Sequence, residues 1–74
     1  MLKFEKLEKL DLSYNNISNI DNLENAKFKE LKELYLNNNK ISDIKVLKKI
    51  KFEKLEKLDL IWNNISNMDN LAKC

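Results

Sequence analysis

Leucine and isoleucine recur at fixed places along this chain, and the spacing between them changes character within each unit. Leu7, Leu10 and Leu12 are followed by Ile17, Ile20 and Leu23, then by Ala26 and Phe28. The same order returns as Leu31, Leu34, Leu36, Ile41, Ile44, Leu47, Ile50 and Phe52. It returns again as Leu55, Leu58, Leu60, Ile65, Met68, Leu71 and Cys74, and Phe4 holds the matching place ahead of the first set. The steps of three before Leu10 suit a helix face, whereas Leu10-Asp11-Leu12 alternates as a strand does. The Asn pair and the β-branched Ile that follow are poor helix formers. The pattern therefore predicts a strand of about three to five residues around Lys9 to Ser13, and its equivalents in later copies. From Ile17 the step of three resumes through Ile20 and Leu23. That predicts a 3₁₀ or α turn, or extended coil, on the way back.

The period is constant, and the copies run 3–26, 27–50 and 51–74 without a gap. A short period repeated in this way marks a stacked repeat protein, in which each unit contacts only its neighbours. We read the 74 residues as one domain of three repeats. No unit differs enough to act as a polar cap, which leaves self-association through the ends as one expectation.

The segments LEKLDLSYNNI, LKELYLNNNKI and LEKLDLIWNNI each fit L-x-x-L-x-L-x-x-N-x-L/I. The chain thus resembles the leucine-rich-repeat family, and the I-x-x-I-x-x-L that follows is similar to its short phosphatase-regulator and bacterial type. The resemblance implies an α/β-type, right-handed solenoid. Short parallel β-strands would line its concave face, with 3₁₀ or α turns, or coil, on the convex side. It implies that Asn15, Asn39 and Asn63 form an inward ladder, since an amide that donates and accepts can satisfy backbone groups of adjacent coils. It also implies a protein-binding module whose partner meets the strand face. That face would comprise Lys9, Asp11, Ser13 and Tyr14; Glu33, Tyr35, Asn37 and Asn38, with Lys32 beside them; and Lys57, Asp59, Ile61 and Trp62. The third copy carries Ile61-Trp62 where the first carries Ser13-Tyr14. Two readings of Trp62 stand open: an interface anchor, or a side chain folded over the end of the stack.

Composition adds one device and removes several functions. The chain has neither Gly nor Pro, so the Asn clusters at 15–16, 37–39 and 63–64 are expected to supply the turns and any left-handed backbone. Charge alternates from copy to copy. Glu5, Lys29, Glu53 form one column, and Lys6, Glu30, Lys54 another. Glu8, Lys32, Glu56 and Lys9, Glu33, Lys57 follow, as do Asp21, Lys45, Asp69. Stacking would set these columns side by side, with opposite charges adjacent, and a slip by one repeat would bring like charges together. Duplication of a two-repeat unit is equally compatible with the pattern.

A net charge of +2 with no Arg argues against a nucleic-acid footprint. No apolar run is long enough for a membrane span, and the N-terminus lacks the features of a signal peptide, so a cytoplasmic site is expected. There is no His, and no metal or cofactor motif appears, so neither an enzyme nor a cofactor is expected. Asp11 and Asp59 share a column, but Tyr35 separates them, which disfavours a carboxylate pair. Cys74 sits at an inward position and reads first as structural, with a reactive thiol second.

Overall fold

The structure is a computed structural model and describes residues 5–66. Phe4, Met68, Asp69, Leu71 and Cys74 lie outside the described residues. Three short strands form one parallel sheet in the order β1-β2-β3: β1 is Lys9–Asp11, β2 Glu33–Tyr35 and β3 Lys57–Asp59. Each strand holds the lower bound of the expected length, and Ser13 falls just beyond β1. Each step of the register is one whole repeat. Lys9 faces Glu33, Leu10 faces Leu34 and Asp11 faces Tyr35; Glu33, Leu34 and Tyr35 in turn face Lys57, Leu58 and Asp59. Parallel strands need a long return path between them, and here it contains a 3₁₀ helix: Asp21–Asn25 after β1 and Lys45–Lys48 after β2. A stack of parallel coils of this kind fits a repeat solenoid.

The alternation K-L-D puts Leu10, Leu34 and Leu58 on the inner face of the sheet. Leu34 is fully buried, as are Phe28, Leu31, Leu36, Ile41 and Ile44, all from the second repeat. Their counterparts Leu7, Leu10, Leu12, Ile17, Leu55, Leu58, Leu60 and Ile65 pack against that core and are only partly buried. One coil is thus buried because it has a neighbour on each side. The rings of Phe28 and Phe52 stack at 5.8 Å between centroids, 18° from parallel, and carry the column through the back of the stack. Val46 joins the core at 4% exposure, although the aligned Asn22 is exposed. The repeat pattern held no sign of it, because only the second copy has an apolar residue there.

The turn out of each strand corrects the expected role of asparagine. Positive φ occurs at Tyr14 (57°), Asn38 (58°) and Trp62 (62°), one residue before Asn15, Asn39 and Asn63. In the second and third copies the side chain after this left-handed residue reaches the preceding coil. Only in the second copy does an Asn take that conformation. Tyr and Trp incur a Cβ clash of about 1–2 kcal/mol for it, so the demand comes from the coil and not from local preference.

Candidate functional site

The sheet presents its outer face as a grid of three columns. The first row is Lys9, Glu33, Lys57, and the second is Asp11, Tyr35, Asp59. The central column controls the geometry of both rows. The Tyr35 hydroxyl donates to Glu33 Oε1. The ammonium of Lys9 lies 5.4 Å from the centroid of the Tyr35 ring and that of Lys57 lies 5.2 Å from it. Both distances suit a cation–π contact. Lys9, Glu33 and Lys57 are in register, yet the lysines meet across an aromatic ring, and Glu33 is engaged by the phenol.

Asp11 and Asp59 turn back onto the loop. Asp11 Oδ1 accepts from the Ser13 amide at 2.9 Å and from Ser13 Oγ at 2.5 Å, and Asp59 Oδ1 accepts from the Ile61 amide at 3.1 Å. The Ser13 hydroxyl, then its amide, hold the Asp11 carboxyl below the ordinary carboxylate value. These two carboxylates therefore close turns of the Asx type. They remain at the rim of the face, with Tyr35 between them.

Beyond the strands lie Ser13, Asn37 and Ile61, then Tyr14, Asn38 and Trp62. Asn37 Nδ2 donates to Asn38 Oδ1 at 2.9 Å, so the middle column is tied down and partly buried. The outer columns are open. Tyr14 is 76% exposed, Ile61 62% and Trp62 75%. Trp62 and Ile61 are therefore both open to solvent.

Immediately inside, the asparagines connect the coils. Asn39 Nδ2 donates to Leu12 O and Leu36 O, both at 3.0 Å, while its Oδ1 accepts from the Ile17 amide at 3.1 Å. Asn63 repeats the arrangement with Leu36 O, Leu60 O and the Ile41 amide. Each side chain therefore bonds its own coil and the preceding one. Asn15 is exposed and donates only within its own turn, to Leu12 O and Ser13 O. Two further polar residues escaped the sequence reading. Asn19 Oδ1 accepts from the Asp21 amide at 2.7 Å, and Asp43 Oδ1 from the Lys45 amide at 2.9 Å, which starts each 3₁₀ helix. Their signal was an Asn or Asp two residues before the helical segment in the first two copies.

On the remaining surface, one contact in each of two charge columns is an ion pair. Lys54 Nζ reaches Glu30 Oε1 at 2.8 Å, and Lys32 Nζ reaches Glu8 Oε1 at 3.7 Å. The hydrogen bond from Lys54, then its charge, lowers the Glu30 carboxyl below its usual value and raises the Lys54 ammonium above its own. A cleft of about 330 Å³ is lined by Phe28, Ile50 and four lysines, with Glu24, Ala26 and Glu53; none of the strand-face residues line it. Among the described residues, no group of three or more His, Cys, Asp or Glu is placed to hold a metal, and no helix is long and apolar enough to cross a membrane.

A parallel sheet that advances by one repeat per strand, with an amide bridging successive coils, defines a stacked-coil repeat protein. A family model described as Leucine Rich repeats (2 copies) matches residues 5–49 and again residues 29–73. The chain belongs to the leucine-rich-repeat family, whose members generally mediate protein–protein interaction and are typically not enzymes. A search of curated proteins returned no match.

Proposed function

We propose that this chain binds a protein partner through the outer face of its sheet and the loops that follow the strands. In a right-handed leucine-rich-repeat coil this is the concave side. Ile61 and Trp62 are the apolar anchors, Tyr14 stands at the other edge, and Tyr35 orders Lys9 and Lys57 between them. The observation that carries the reading is the exposure of Trp62 at 75% beside Ile61 at 62%. Among the described residues, Tyr14 is the one other large apolar side chain so open. Exposed aromatic and aliphatic neighbours are the usual centre of binding energy at an interface. Trp62 also holds a left-handed backbone that Asn38 fills at lower cost in the second copy. A residue kept at a strained, solvent-facing place is better explained by contact with a partner than by the coil's own stability.

Trp62 is the single tryptophan, so its emission reports on the site directly. With a partner identified by cross-linking, titration should shift that emission to the blue. Trp62→Asn, which installs the second copy's residue, should weaken binding at least tenfold. The variant's stability should stay the same or rise by up to about 1 kcal/mol. Full affinity in that variant, or binding that leaves the emission unchanged, rules Trp62 out as an anchor.

A further inference from the structure

Two stretches of the chain carry a lysine on each side of one apolar residue: Lys27-Phe28-Lys29 and Lys49-Ile50-Lys51. In both, the apolar side chain is buried and the lysines are exposed. The stretches follow successive 3₁₀ helices, so stacking brings them together, and they line the cleft of about 330 Å³. Ala26 lines it as well, at the place that Ile50 takes in the next copy, so a small residue borders the opening. Among the described residues, none of these four ammonium groups holds an ion pair. The two pairs that do occur use Lys32 and Lys54. Glu24 and Glu53 complete the charged lining, and four lysines against two glutamates leave a surplus of two positive charges.

We infer that this cleft binds a phosphate monoester that carries a small apolar group, as an aryl phosphate does. Charge favours phosphate over carboxylate. A monoester brings about −1.5 to −2 at pH 7 on one group with three acceptor oxygens, which answers the surplus, whereas a carboxylate brings half as much. Lysine meets phosphate as a point charge, and the chain has no Arg whose fork would match a carboxylate. Size sets the rest of the ligand. Small-molecule sites span about 300–1,000 Å³, and a cleft at the lower end admits one ring-sized group. Ala26, Phe28 and Ile50 supply the apolar part of the lining for it. The inference is independent of the strand-face reading, because none of that face's residues line the cleft.

The test follows backbone amide signals by two-dimensional NMR, with phenyl phosphate as the probe. It should saturably shift the amides of residues 26–29 and 49–53 and leave those of Tyr14 and Trp62 in place. Phenyl phosphate should bind about fivefold more tightly than inorganic phosphate, which lacks the apolar group, and than benzoate, which lacks the second charge. The double variant Lys27→Gln and Lys51→Gln should weaken binding about fivefold. Ala26→Ile, which installs the second copy's residue, should narrow the cleft and bring phenyl phosphate down to the affinity of inorganic phosphate. Circular dichroism checks that each variant folds; if Ala26→Ile does not, the exposed lysines still decide the matter. A phosphotyrosine peptide that binds more tightly than phenyl phosphate assigns the monoester to a partner protein, and equal binding assigns it to a free small molecule. The inference is overturned by benzoate or inorganic phosphate binding as tightly as phenyl phosphate. Unchanged affinity in the double lysine variant, or shifts spread over lysines remote from the cleft, overturns it equally.

Discussion

At the scale of single residues, chemistry that looks repetitive in the sequence is divided unequally by position. Asn15, Asn39 and Asn63 occupy equivalent places, yet only the latter two reach back to a preceding coil. Asn39 is the most enclosed, at 8% exposure, and it serves both donors and acceptors that would otherwise be buried and unpaired. Asn39→Ala should therefore cost about 2–3 kcal/mol in urea unfolding, the range expected when buried polar groups lose their partner. Asn15→Ala should cost under about 1 kcal/mol, because its amide bonds only its own exposed turn. Equal losses at the two sites would mean that the bridge to Leu12 O and Ile17 N contributes little. The same inequality governs the left-handed position. Tyr14, Asn38 and Trp62 share one conformation and differ in how well they tolerate it, and that difference is what singles out Trp62 as a candidate contact residue.

At the scale of elements, such short strands owe their existence to each other. No strand of this length is stable alone, and each here is held by its counterpart in the adjacent repeat. Strand burial follows from place in the sheet, since the inner leucine is fully buried in β2 and half-buried in β1 and β3. Leu34→Ala should cost about 3–5 kcal/mol and leave a chain that is largely unfolded at ambient temperature. Leu10→Ala, at the edge, should cost about 1–2 kcal/mol, with thermal unfolding separating the two. Comparable effects would indicate that β1 is covered as fully as β2. The 3₁₀ helices are similarly contextual. Asn19 and Asp43 start them, but the second contributes Val46 and Leu47 to the core whereas the first buries none of its residues.

At the scale of the whole molecule, coils are joined by a core, by amide bridges and by charge columns, which respond differently to solution conditions. The columns respond to pH. The Glu30 carboxyl is lowered by Lys54, so its contribution is present above the ordinary carboxylate value and is lost as pH falls through the lowered one. The Lys54 ammonium is raised, so its contribution is present below the ordinary lysine value and is lost as pH rises through the raised one. Asp11, lowered by Ser13, behaves as Glu30 does. Stability should thus hold between about pH 5 and about pH 10 and weaken on either side. In an NMR titration, Lys54→Ala should move the Glu30 midpoint upward. An unmoved midpoint would show that the Lys54–Glu30 pair is not maintained in solution. High salt should reduce the pH dependence while leaving the core untouched, because these pairs are exposed.

The sequence alone determined the repeat, the strand positions, the inner leucines and the alternation of charge, because period and polarity are one-dimensional properties that stacking preserves. It located the asparagines without revealing which of them bridge coils. It named Trp62 without deciding between anchor and cap. Only the tertiary structure showed which asparagines bridge coils and that Trp62 is open to solvent, since burial, left-handed backbone and the placing of Lys9 and Lys57 across Tyr35 depend on which coils lie on either side of a residue. Identical letters in the three copies meet different neighbours, and the neighbours decide what each side chain does.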